Sequence, residues 1–126
     1  MCRNNDFIRC FLLELTKTGV PTSLLSSQFT NFPDMKDDLL LDHVDFLVER
    51  DFIEVVSSKS GHDFYVITWD GHDFLGYSSD PILWQSATRV AGHLSFDAFY
   101  TVLKDLMLWK VRKTADELFQ KSVKNK

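Results

Sequence analysis

Cysteine is scarce. Cys2 and Cys10 are the only two in 126 residues, too few for a disulfide framework or a cysteine-rich zinc site, and nothing beside them completes a redox pair. Both read as ordinary thiols. Long apolar runs are missing as well, because charges interrupt every stretch within a few positions, which excludes a membrane-spanning helix. The opening Met1-Cys2-Arg3-Asn4-Asn5-Asp6 has no basic region leading into an unbroken apolar segment, so no secretory leader is expected and the expected location is the cytoplasm. There is no glycine-flanked serine, reactive cysteine–histidine signal or phosphate-binding glycine loop. Catalysis and a cofactor are therefore not expected.

Basic charge is sparse over most of the chain and concentrated at its end. Residues 1–103 hold 15 acids and 7 bases, whereas residues 104–126 hold 7 bases and 3 acids. An acidic body is a poor electrostatic partner for phosphate, although a local basic stripe could still act by itself. With 44% hydrophobic and 25% charged residues, the composition is that of a globular protein. A chain of this length should bury about 65 to 70% of its unfolded surface, enough for one core without staples.

Ile8, Phe11, Leu12 and Leu15 recur at the spacing of one buried helical stripe, with Asn5 as the expected cap, Gly19 as terminator and Pro21 as a block to resumption. Ser23 can cap a short second helix through Leu24, Leu25 and Gln28, and Thr30 to Pro33 reads as a turn. A third helix is predicted from Asp34 to about Arg50. Its apolar face carries Leu40, Leu41, Val44, Leu47 and Val48, and its polar face carries Asp38, Asp42, Asp45 and Glu49. His43, on the flank, reads as a surface or boundary residue.

Phe52 to Val56 and Phe64 to Thr68 are rich in β-branched and aromatic residues, joined by a polar link that suits a hairpin loop. Thr68 can cap the next helix, with Asp70 and Asp73 against its positive end. Asp80-Pro81 reads as a cap followed by proline at the first helical position, opening a segment that stops near Gly92. A last helix is predicted from Ser95. Its apolar residues, from Phe96 to Val111, cover more than one stripe and so require more than one apolar neighbour.

Three helices followed by a two-stranded hairpin is the layout of a winged helix-turn-helix. The expected fold is α+β, mostly α, with a winged-helix core over residues 1–68 and a helical extension over 69–126, together one compact domain. Gly-His-Asp-Phe occurs twice, at 61–64 and 71–74, and two His-Asp pairs raise the question of a metal. His62 and Asp63 fall at the hairpin loop and His72 and Asp73 in the opening turn of a helix, without shared periodicity to bring them together, so no metal site is expected.

The stretch Ile67-Thr68-Trp69-Asp70-Gly71-His72-Asp73-Phe74-Leu75 resembles the domain-of-unknown-function family numbered 2513, found in bacteria and their phages. Arg3 to Arg9, Phe52-Ile53-Glu54, Asp80 to Trp84 and Gly92-His93-Leu94-Ser95-Phe96 also fall where that family has similar features. The resemblance covers about residues 3 to 110. It implies a winged-helix-like fold and a frequent setting in phages or prophages, and it brings no catalytic residues.

DNA reading is the default suggestion of such a fold, but fold does not fix function. Between Asp34 and Asp51 there are seven acids against Lys36 and Arg50, and phosphates repel a helix of that sign. The expected function is instead a non-enzymatic regulatory or interaction module that docks a protein partner through Asp38, Asp42, Asp45, Phe46 and Glu49. The competing expectation is a DNA-binding regulator using Lys59 of the wing with Lys110, Arg112 and Lys113. Those three bases, with Lys121, Lys124 and Lys126 beyond them, read most simply as complements to a helix C-terminus that keep the tail solvated. Leu106, Met107 and Trp109 are candidates for homodimerisation, against packing within the chain.

Overall fold

In the computed structural model, which describes residues 3–22, 35 and 37–124, helix α1 spans Asn5–Lys17 and its cap is Asn4 rather than Asn5. The Asn4 side chain accepts the Phe7 N–H at 3.0 Å, closing one of the donors that a first turn leaves open. One face buries Phe7, Ile8, Phe11, Leu12 and Leu15. Thr18 ends the helix in an extended conformation, and the chain passes into a two-residue strand, β1 (Val20–Pro21). Proline thus acts here as an edge-strand residue, where its missing N–H is harmless. The short helix and turn expected over residues 23–33, the Asp34 start of the next helix, and Cys2 lie outside the described residues.

Helix α2 (Asp37–Glu49) is the helix predicted third from the sequence. It buries Leu40, His43, Val44 and Leu47, while Leu41 is 45% exposed and Val48 is half-buried. At about 100° per residue, Leu41 projects about 100° away from Leu40, whereas His43 falls inside the stripe. Two expectations are corrected here: Leu41 is not on the buried face, and His43 is not a surface or boundary residue.

Helix α2 ends in a Schellman arrangement. Phe52 N–H donates to the Leu47 carbonyl and Asp51 N–H to that of Val48, both at 3.0 Å, with Asp51 in the left-handed region at φ 61°. An aspartate does what glycine usually does. Strands β2 (Ile53–Ser57) and β3 (Asp63–Ile67) follow as an antiparallel hairpin, with Val55 opposite Tyr65. Val20 pairs with Tyr65 from the other side, giving the order β1-β3-β2.

Thr68 then joins sheet to helix. Its hydroxyl donates to the Asp51 carbonyl and accepts from Gly71 N–H, so it caps helix α3 (Trp69–Tyr77) while tying it to the end of α2. Asp70 lies in the first turn; Asp73 is one turn further in. Helix α4 (Pro81–Ala91) begins as the sequence indicates, with Asp80 accepting the N–H groups of Ile82 and Leu83 and proline leading. Ser95 accepts the Ala98 N–H at 3.2 Å and opens helix α5 (Phe96–Lys124), 29 residues long.

The described residues are thus α+β and mostly helical, with five helices and one three-stranded antiparallel sheet. The chain divides into two compact units, Met1–Gly76 and Tyr77–Lys126. The first has its core between α1, α2 and the sheet, where Phe7 meets Phe11 at 5.8 Å between centroids and Phe11 meets Tyr65 at 6.3 Å. In the second, α4 packs on the start of α5 through Leu83, Trp84 and Ala87 against Phe96, Phe99 and Leu103, with Trp84 edge-on to Phe99 at 5.2 Å.

Candidate functional site

The acidic face of α2 is fully formed. Asp38, Asp42, Asp45 and Glu49 are all exposed, and their spacing of four, three and four residues sets them in one row along the helix. Phe46 is half-buried beside the row, and the Arg50 guanidinium lies 5.8 Å from its ring centroid. Like charges at these spacings repel by about 0.2–0.5 kcal/mol per pair. The last turn of α2 contains no basic residue to complement its negative end. The row therefore works against the helix that bears it.

What holds the row in place is the opposite face of α2. His43 is fully buried, its ring edge-on to Phe7 at 5.4 Å. Its Nε2 accepts the Asn4 N–H at 2.8 Å, and its Nδ1 reaches the Leu39 carbonyl at 2.8 Å. A carbonyl only accepts and a backbone N–H only donates, so Nδ1 carries the proton. His43 thus fastens α2 to the residue that caps α1. Nothing in the sequence marked this link, since its partners are backbone groups, one of them 39 positions away. On β3, burial followed by the charge of Asp45 pushes the Tyr65 hydroxyl up from its ordinary value.

The basic candidates divide between the two units. Lys59 is exposed in the hairpin loop of the first unit, and Lys110, Arg112 and Lys113 are exposed on α5 of the second. Of the tail bases expected to complement a helix C-terminus, Lys121 and Lys124 fall in the last turn of α5, whereas Lys110, Arg112 and Lys113 lie mid-helix, and for these three the expectation is corrected. Lys110 pairs with Asp80, the cap of α4. That bond, ahead of the N–H groups of Leu83 and Ile82, holds the Asp80 carboxyl below the usual carboxylate range. Lys113 sits over the Trp109 ring at 5.3 Å. Of the three self-association candidates, Leu106 and Met107 are half-buried and Trp109 is 58% exposed.

The twin Gly-His-Asp-Phe segments do different local work. Asp63 accepts the Ser57 hydroxyl at 2.7 Å, closing the hairpin, while His72 stacks near Trp69 at 5.9 Å on α3. Among the described residues, no three or more His, Cys, Asp or Glu side chains gather where they could hold a metal ion. A shallow concavity running from Trp109 to Lys121 is lined by α5 alone, so it has only one wall. No helix among the described residues is long and apolar enough to cross a membrane.

Residues 2–96 match the family described as "Hypothetical protein (DUF2513)". The match therefore takes in the first unit from its second residue, with α4, and ends where α5 begins. No curated protein matches the chain.

Proposed function

We infer that the chain, which belongs to the DUF2513 family, is a non-enzymatic regulatory or interaction module that docks a basic protein surface through the acidic face of α2. The observation that carries this reading is the row Asp38, Asp42, Asp45 and Glu49, exposed beside Phe46 on a helix whose other face is locked into the core. Four carboxylates in a row supply a directed negative potential that steers a cationic partner, and the half-buried ring supplies an apolar anchor at its edge. The repulsion along the row is a local disadvantage to folding, which is the pattern of a surface retained for recognition.

The fold reading that goes with it is a winged helix. Support comes from the order α1, β1, α2 and hairpin, with β1 completing a sheet of three strands beside β3. The helix that would enter a DNA major groove in that architecture is α2, and its charge opposes phosphate. A bacterial or phage setting and a cytoplasmic location accompany the reading. The competing reading, a DNA-binding regulator, has Lys59, Arg112 and Lys113 for contacts, with Lys110 already engaged by Asp80.

Affinity capture from the native host, with the wild-type chain and an Asp38→Lys/Asp42→Lys/Asp45→Lys variant side by side, tests the proposal. Loss of a captured protein in the variant is expected, and unchanged capture overturns the docking face. A mobility-shift titration against salt separates the competitor, since tight duplex binding that weakens steeply with salt would favour the DNA reading.

A further inference from the structure

Helix α5 changes the side on which it is apolar. Over its first part the buried residues Phe96, Phe99 and Leu103 point toward α4, and Lys110 continues that side by reaching Asp80. Beyond it, Leu108, Val111, Ala115, Leu118 and Phe119 form a second stripe, about 100° wide at about 100° per residue, with its centre rotated about 120° from the first. The second stripe is not an extension of the packing on α4. Leu108, Val111, Leu118 and Phe119 are between 41% and 66% exposed, and Ala115 is exposed with them. This rotation also accounts for three of the four consecutive apolar residues Leu106 to Trp109: Leu106 and Met107 belong to the side facing α4 and Leu108 to the second stripe, whereas Trp109 lies outside both.

We propose that this stripe is a self-association seam, on which a second copy of the chain lies antiparallel about a two-fold axis near residues 113 and 114. Two features of the stripe make the second copy its occupant. The first is shape: with antiparallel order, Leu108 falls against Leu118 of the other copy and Val111 against its Ala115, so large residues close the ends and the smaller ones let the helices approach at the centre. The second is charge. Arg112 and Asp116 lie on the same flank of the stripe, about 20° and about 60° beyond its edge, and a two-fold axis sets that flank against its own copy, with each Arg112 on the side of the other chain's Asp116. Parallel order would set Arg112 against the opposite edge, where Met107 and Thr114 offer no carboxylate.

The seam spans about three turns, or about 17 Å of helix. Stable interfaces bury about 1,200–2,000 Å² in total, which a seam this short does not reach by itself, so the dimer is weak and depends on concentration. Because α5 follows the segment matched to the family, dimerisation would be a property of this extension and independent of the acidic face.

Sedimentation velocity of the full chain over a wide concentration series tests the proposal, with circular dichroism to verify helix content. The wild type should pass from monomer to dimer, and Val111→Glu/Leu118→Glu, at exposed sites, should remain monomeric with unchanged helicity. Arg112→Asp alone should weaken the dimer about tenfold, because symmetry counts the change twice. Adding Asp116→Arg should restore it. A wild type that stays monomeric at the highest concentration overturns the seam, as does a dimer indifferent to Val111→Glu/Leu118→Glu. Failure of the double exchange to restore association overturns the antiparallel order.

Discussion

His43 shows how one side chain can set the geometry of a surface it does not join. Its imidazole is buried between Phe7 and α2 and satisfies the Asn4 N–H, so removing its polar atoms leaves a donor without its acceptor. His43→Phe, which keeps an aromatic ring, is expected to destabilise the chain by about 1–3 kcal/mol. Urea denaturation measures it, and an unchanged midpoint would contradict the role. Two glycines make a second contrast at this scale. Gly61 has φ 82° and open space around it, whereas a Cβ on Gly71 would run into the Phe52 carbonyl and the Ile67 side chain. Asparagine tolerates the left-handed region, so Gly61→Asn should cost less than about 1 kcal/mol, while Gly71→Asn should cost about 1–3 kcal/mol or prevent folding. Equal losses in the two variants would show that the clash at Gly71 is relieved by movement. The sequence repeat hid this difference, because four identical letters occur where a hairpin loop enters its strand and in a helix packed on a strand.

Helix boundaries were legible where a side chain makes the boundary. Asp80-Pro81 and Thr68 were readable because capping chemistry is local. The start of α1 moved by one residue because Asn4 and Asn5 are adjacent and chemically identical, and the stop of α2 fell within a residue of the expected Arg50 although Asp51 stands where glycine is usual. The Asp80 cap also has a pH signature. Its carboxyl is held below the usual value by Lys110 first, so the charged form favours the folded state; that stability is present above the ordinary carboxylate value of about 3.9 and is lost as pH falls through the depressed folded value. Asp80→Asn keeps a good cap but removes the charge. Denaturation midpoints of the two proteins should differ at neutral pH and converge in acid, and a gap independent of pH would refute the linkage. On α2, Glu49→Lys replaces a repulsion with Asp45 by an attraction and complements the helix end. It should stabilise the fold by about 0.5–1 kcal/mol while weakening partner capture. A rise in stability with undiminished capture would remove Glu49 from the docking face.

Across the whole molecule, charge is distributed against its own sum: an acidic body precedes a C-terminal segment with 7 bases and 3 acids, although the chain as a whole is at −4. Recognition by the exposed carboxylates of α2 should accordingly fade with ionic strength, because exposed charges are screened over about 8 Å at physiological salt. Capture that persists undiminished into molar salt would point to apolar contacts, with Phe46 as the first residue to change. The family match supplies a frame for these features, covering the unit that carries the acidic face and leaving almost all of α5 beyond it.

Sequence alone determined what depends on neighbours along the chain: the buried stripe of α1, the hairpin, the caps at Thr68 and Asp80, the one-signed face of α2 and the family. Periodicity and capping are properties of a few consecutive residues, so they can be read without coordinates. Only tertiary structure decided the rest. It converted Pro21 from a helix breaker into part of a third strand, buried His43 against the first helix, and committed Lys110 to the cap of α4. It also separated the apolar residues of α5 into a side that packs and a side that does not. Each of these depends on which partner arrives from a distant part of the chain, and hydrogen-bond pairing and burial across such distances leave no mark on local spacing.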